Sequence, residues 1–128
     1  MQMAVIFVDK SVPGYRALLD ELSEHYLVHI LDTNQNALSQ IANIIGNDSN
    51  LGSLHIVSHG EPGVLKFSSG SITTDNAKNF SKDLITIGNA LGKGGDVHLY
   101  GCDIGGGGKG EELLQLLSRI SGADFAAS

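Results

Sequence analysis

Short, mostly apolar runs alternate with stretches of helical spacing along this chain, and that alternation confines it to one fold class. Met3–Val8, Tyr26–Leu31 and Leu54–Val57 read as strands buried on both faces, as does the run from Asp96 to Gly101. Between them, a helix is expected from about Pro13 to Glu24, with Tyr15, Leu18, Leu19 and Leu22 on one face. Asn36 caps a second helix carrying Leu38, Ile41, Ala42 and Ile45, and Thr74-Asp75 supply the cap for a long third one through Phe80, Leu84, Ile87 and Leu91. A fourth helix is expected from about Lys109 to Ile120. Strands linked by helices predict a mainly parallel sheet with right-handed crossovers, strand order 2-1-3-4-5 and helices on both faces. The fifth strand is Asp124–Ala127, and the chain stops inside it, which leaves a single domain over 1–128 open to continue at its C-terminus. The third strand is expected to end at His59. A small β-hairpin of Val64–Phe67 and Ser71–Thr73 then stands on the loop after it.

Composition removes several functions. The net charge is −6 and lysine and arginine form no cluster, so the footprint for nucleic-acid binding is missing. Met3–Val8, the longest unbroken apolar run, has six residues, too few for membrane insertion or a signal-peptide core. One cysteine cannot form an internal disulfide.

In open α/β sheets, ligands bind in the crevice beyond the carboxyl ends of the strands. His59 and Cys102 both sit there, each ending an apolar run beside a glycine. If the third and fourth strands are neighbours, these ends lie roughly 5 Å apart. A thiolate is a nucleophile, a nearby imidazole can activate it and protonate a leaving amine, and the amides of Gly60 and Cys102 could stabilise an oxyanion. Alone, each has a plain structural reading: a lone cysteine is often a small buried hydrophobe, and a histidine at a strand end is often a loop residue. Their matched placement favours the functional pair. Asp103 opposes it, because a carboxylate beside the sulfur disfavours the thiolate unless it points away or is neutralised by Lys109.

Six of the 17 glycines fall between Gly101 and Gly110. Gly105, Gly107 and Gly110 fit a dinucleotide-binding pattern, but any glycine run does, and no acidic strand end follows at the required distance. A phosphate loop ending at Gly108-Lys109 fails because Asp103 and Gly110 replace its required glycine and hydroxyl. The expectation is a mobile substrate loop of Asp103, Gly105, Gly106, Gly107 and Gly108, with no cofactor. No metal is expected: His55 and His59, on one strand, would stand about 13 Å apart. His55 and His98 read as neutral histidines within strands.

A hydrophobic block ending in His-Gly followed by one ending in Gly-Cys resembles the clan CD cysteine peptidases, the caspase, gingipain, separase and CHAT-like group. More closely, Leu31-Asp32, Leu54–Gly60, Leu99–Asp103 and Ser121–Ser128 are similar to an uncharacterised domain near the N-terminus of large secreted bacterial adhesins and calcium-repeat proteins. The resemblance implies a caspase-like three-layer sandwich, His59 as general acid or base, Cys102 as nucleophile, and Gly60 with Cys102 as oxyanion donors. The two dyad positions are 43 residues apart, near the roughly 50 of caspases, but the caspase Gln-Ala-Cys pattern is replaced by Tyr100-Gly101-Cys102. Substrate preference is therefore not implied. A secreted or cell-surface location within a larger protein is, with an export signal elsewhere in that protein.

The leading expectation is a cysteine endopeptidase acting on a polypeptide, its own parent chain included. The alternative is a non-catalytic folding, export or binding module of the same fold, with a nucleotide-binding domain third. The oligomeric state is left open.

Overall fold

A computed structural model describes residues 4–101 and 103–127, with Lys93 described by its backbone. Five strands form one wholly parallel sheet: β1 (Ala4–Asp9), β2 (Leu27–Leu31), β3 (Leu51–Val57), β7 (Leu91–Tyr100) and β8 (Asp124–Ala127), in the order β2-β1-β3-β7-β8. This is the expected 2-1-3-4-5 order. The hairpin after β3 is a separate antiparallel sheet of β4 (His59–Glu61), β5 (Val64–Phe67) and β6 (Gly70–Ile72). The helices are α1 (Tyr15–Leu22), α2 (Ala37–Ile45), α3 (Ser81–Ala90) and α4 (Gly107–Ser121). The α/β architecture is consistent with a caspase-like sandwich.

Register explains the layering. Val5 and Phe7 pair with Leu54 and Ile56, which pair with Val97 and Leu99, and Val97 pairs with Phe125. Because side chains alternate across a strand, these residues share one face. There they meet Ile41, Leu84, Ile87, Leu113 and Leu117 of α2, α3 and α4 in the buried core. Each fully buried side chain of this kind stabilises the fold by about 1.5–3 kcal/mol. The other face carries Ile6, His55, His98 and Tyr100. Among the described residues α1 is the sole helix on that side, its Leu18 and Leu22 lining a cleft with Ile6 and Val57. Reversal of strand order at β1 puts α1 on one face and the later crossovers on the other.

Several boundaries differ from those expected. The third strand stops at Val57, and His59 starts β4 instead, because Ser58 turns the chain and His59-Gly60-Glu61 pairs antiparallel with Val64-Leu65-Lys66. Helix α1 is shorter at both ends, since Gly14 takes the left-handed conformation at φ 74° just before it and the amide of Ser23 closes its last turn on Leu19. Asn36 caps α2 as expected, accepting from the Ser39 amide at 3.1 Å. Ahead of α3, Asn76 rather than Thr74-Asp75 organises the turn, accepting from the Thr73 amide at 2.8 Å, and a 3-10 turn at Ala77–Phe80 comes first. Leu91, expected on the third helix, instead begins β7, and Gly92–Gly95 is a bulge inside that strand: Leu51 pairs with Leu91 and Ser53 already with Asp96.

Candidate active site

The parallel pairing of β3 and β7 continues to Val57 opposite Tyr100, and the Ser58 amide donates to the Tyr100 carbonyl at 2.9 Å. The two chains then leave the sheet side by side. A Cβ on Gly101 would lie 3.1 Å from the His59 carbonyl carbon and 3.2 Å from the Ser58 oxygen, so His59 and Gly101 are in main-chain contact. Cys102 itself lies outside the described residues. The structure thus brings the expected histidine against the residue that precedes the expected nucleophile.

Ile104, fully buried, locks this junction. A Cβ on Gly60 would come within 2.2 Å of its Cγ1 and one on Gly101 within 2.8 Å of its Cδ1, while the Gly63 amide donates to its carbonyl at 3.0 Å. The hairpin bearing His59 and the segment after Gly101 are therefore packed as one unit. Glycine at 60 and 101 is required by this close approach, whatever else the Gly60 amide does.

His59 is partly exposed, and its Nε2 lies 2.8 Å from the Ser11 carbonyl oxygen. A carbonyl only accepts, so Nε2 carries the proton, and in the neutral ring Nδ1 holds the free lone pair. No described residue bonds that Nδ1.

The Ser11 segment is in turn organised by Asp9, which is 1% exposed at the carboxyl end of β1. Its Oδ2 accepts from the Ser11 amide at 3.1 Å, from the Ser11 hydroxyl, and from the Ser68 hydroxyl at 2.8 Å. The Ser68 amide is shared between Oδ1 at 3.1 Å and Oδ2 at 3.0 Å. Burial pushes the Asp9 carboxyl up, but the hydroxyl and amide donors of Ser68 and Ser11 together outweigh it and hold it below the ordinary 3.8. Neither Asp9 nor its partners were singled out in the sequence. An aspartate ending an apolar run with serine two positions on is a local Asx-turn signal, whereas its bond to Ser68 spans 59 residues.

The loop after Cys102 differs from the expectation in its extent. Asp103 takes a left-handed conformation, φ 56°, which aspartate tolerates better than most residues, and its carbonyl accepts from the Gly106 amide at 3.0 Å. A Cβ on Gly106 would lie 2.5 Å from Asp103 Oδ1, so the carboxylate lies against Gly106, the cap of α4. A carboxylate there complements the partial positive charge of a helix N-terminus. Gly107 and Gly108 are not loop but the first turn of α4, two residues ahead of the expected start at Lys109. Gly105 is held by packing: a Cβ on Gly110 would lie 2.2 Å from its carbonyl carbon, and a Cβ on Gly105 itself 3.1 Å from Ala127. Of the expected substrate loop, Asp103, Gly105 and Gly106 remain a connection; the backbone of Gly105 leaves no room for a side chain at 110, and the Asp103 carboxylate leaves little at 106.

On the α1 face, His55 stacks on His98 at 5.0 Å and on Tyr100 at 5.8 Å between ring centroids. Its Nε2 meets the Ser53 hydroxyl at 2.9 Å and its Nδ1 the Tyr100 hydroxyl at 3.0 Å, while His98 Nε2 lies 3.1 Å from Asp96. Burial, then the neighbouring His98 charge, lower the His55 pKa from its ordinary 6.5, with Asp96 acting in the opposite sense. His55 and Tyr100 border an apolar cleft of about 370 Å³ with Leu18, Leu22 and Tyr26.

A family profile described as "Domain of unknown function (DUF4347)" matches residues 5–128. The chain belongs to the DUF4347 family. Comparison with curated proteins finds no match. In this DUF4347 chain, no group of three or more histidine, cysteine, aspartate or glutamate side chains among the described residues is placed to hold a metal ion. No helix among them is long and apolar enough to cross a membrane.

Proposed function

We propose that this domain is a cysteine endopeptidase in which Cys102 is the nucleophile and His59 the acid–base partner. The observation that carries the reading is His59 itself: one ring nitrogen donates to the Ser11 carbonyl, and its main chain abuts Gly101, next to Cys102 in sequence. An imidazole held by one nitrogen with the other free suits proton transfer. Cys102 gives its thiol proton to Nδ1, the resulting thiolate attacks the scissile carbonyl carbon, and the C–N bond breaks as the leaving amine takes that proton from Nδ1. Water, deprotonated at the same nitrogen, then hydrolyses the thioester and restores the thiol. Gly60 and Cys102 amides serve as oxyanion donors on this reading. The direction of the Asp103 carboxylate toward the cap of α4 supports a thiolate at position 102, because its charge is engaged elsewhere. The substrate is a polypeptide, the parent chain included, and the setting a bacterial surface protein.

Incubation with a panel of thiol-directed peptide ketones, read by intact mass, tests the reading. A single adduct is expected on Cys102, absent in Cys102→Ser and much slower in His59→Ala. A folded chain that forms no adduct and turns over no peptide library would instead be the non-catalytic module.

A further inference from the structure

Two separate supports converge on His59, and both run through one carboxylate. The acceptor of its Nε2–H is the Ser11 carbonyl, in the segment that Asp9 grips through the Ser11 amide and hydroxyl. The strand that carries His59 pairs with β5, His59 opposite Lys66, and β5 leads directly into Ser68, whose amide and hydroxyl close on the same carboxylate. Ser11 and Ser68 are themselves exposed, so the two serines roof an aspartate that is 1% exposed. A carboxylate facing donors on every side is an acceptor that no neutral side chain of its size reproduces, because an amide would aim N–H at N–H.

We propose that Asp9 is the positioning residue of the site: its buried carboxylate ties the β1–α1 segment to the β5–β6 turn, and this holds the Ser11 carbonyl where His59 Nε2–H must donate. Asp9 touches neither His59 nor any reacting atom and acts through Ser11. The inference deepens the proposed function and rests on it only for the catalytic consequence; the geometric consequence stands alone.

The full chain is labelled at histidine and exchange of the His59 Nε2–H is followed by NMR, together with alkylation of Cys102 by iodoacetamide. In the wild type the proton is protected and shows coupling across the hydrogen bond to the Ser11 carbonyl carbon. Asp9→Asn is expected to speed its exchange at least tenfold and to slow alkylation by a similar factor. In a His59→Ala background Asp9→Asn should leave the alkylation rate unchanged, which a general loosening of the fold would not do. Ser11→Ala, which removes one donor and keeps the carbonyl, should give a smaller change in the same direction and carries the test if Asp9→Asn does not fold. Unchanged Nε2–H exchange in the folded variants, or an Asp9→Asn effect of equal size with and without His59, overturns the proposal. Exchange that depends on Asp9 in a chain whose Cys102 is inert whatever stands at 59 upholds the positioning role and removes the peptidase reading instead.

Discussion

His55 and His59 stand four residues apart on consecutive strands, and they use their ring nitrogens in opposite ways. His55 is saturated: Ser53 and Tyr100 occupy its two nitrogens, and its ring stacks on those of His98 and Tyr100 from the neighbouring strand. A ring so engaged must break a bond before it can accept or release a proton. His59 spends one nitrogen on the Ser11 carbonyl, and no described residue meets the other. The difference comes from where β3 ends. His55 is within the parallel sheet, paired with His98, while Ser58 turns the chain so that His59 belongs to the hairpin and reaches the β1–α1 segment. Histidine at a sheet interior builds structure, and histidine just past the sheet is available for chemistry.

The sharpest way to break this contrast is to remove each ring. His59→Ala should lower peptide turnover by about 10²–10⁴-fold, the usual worth of an acid–base group, with little change in the urea midpoint. His55→Ala should do the reverse: turnover within a few-fold of wild type and a loss of about 0.5–3 kcal/mol in urea unfolding, from the vacated stack and the stranded Tyr100 and Ser53 hydroxyls. Equal effects of the two substitutions on turnover would erase the distinction.

How far the sequence foretold this contrast depends on whether a residue's setting is local. The parallel sheet and its 2-1-3-4-5 order follow from apolar runs alternating with helical spacing, and the Asn36 cap follows from a local preference. The strand end at Val57 was not legible, because the pairing of His59-Gly60 with Leu65-Lys66 depends on the turn and on Ile104 filling the space beside Gly60. Glycine's low helix propensity hid the start of α4 at Gly107, whose backbone enters the helix at φ 62° with open space where a side chain would stand. The Asp9–Ser68 bond joins residues 59 apart and has no sequence pattern. His59 was singled out from an expected strand end; that it begins β4 and donates to the Ser11 carbonyl was not legible.

The hairpin's attachment can be probed between these extremes. Gly60→Ala would drive a Cβ to within 2.2 Å of Ile104, a residue with no free space, and overpacking of this kind costs about 1–3 kcal/mol. Because the strain falls on β4, turnover should fall with stability, unlike either histidine substitution alone. In an Ile104→Ala background, where the Cγ1 that the new Cβ meets is gone, Gly60→Ala should cost less of both. A smaller cost in stability without a smaller cost in turnover would mean that the position of the hairpin does not control the site.

The smallest effect is on the pH dependence of stability, and it separates His55 from Asp9. The folded His55 pKa lies below 6.5, so as pH falls through that value the unfolded chain takes up a proton that the folded chain refuses, and stability declines. Asp9 gives a second decline further down. Its folded pKa lies below the ordinary 3.8, so the stability it confers is complete above that value and is lost as pH falls through the depressed one. Urea midpoints measured from pH 8 to pH 3 should therefore show two separate falls. His55→Phe keeps the stack without a titrating ring and should flatten the upper fall alone. Asp9→Asn should remove the lower one and leave the upper intact. An upper fall that survives in His55→Phe would assign it to another histidine, and the view of His55 as a ring kept neutral by its saturated surroundings would not stand.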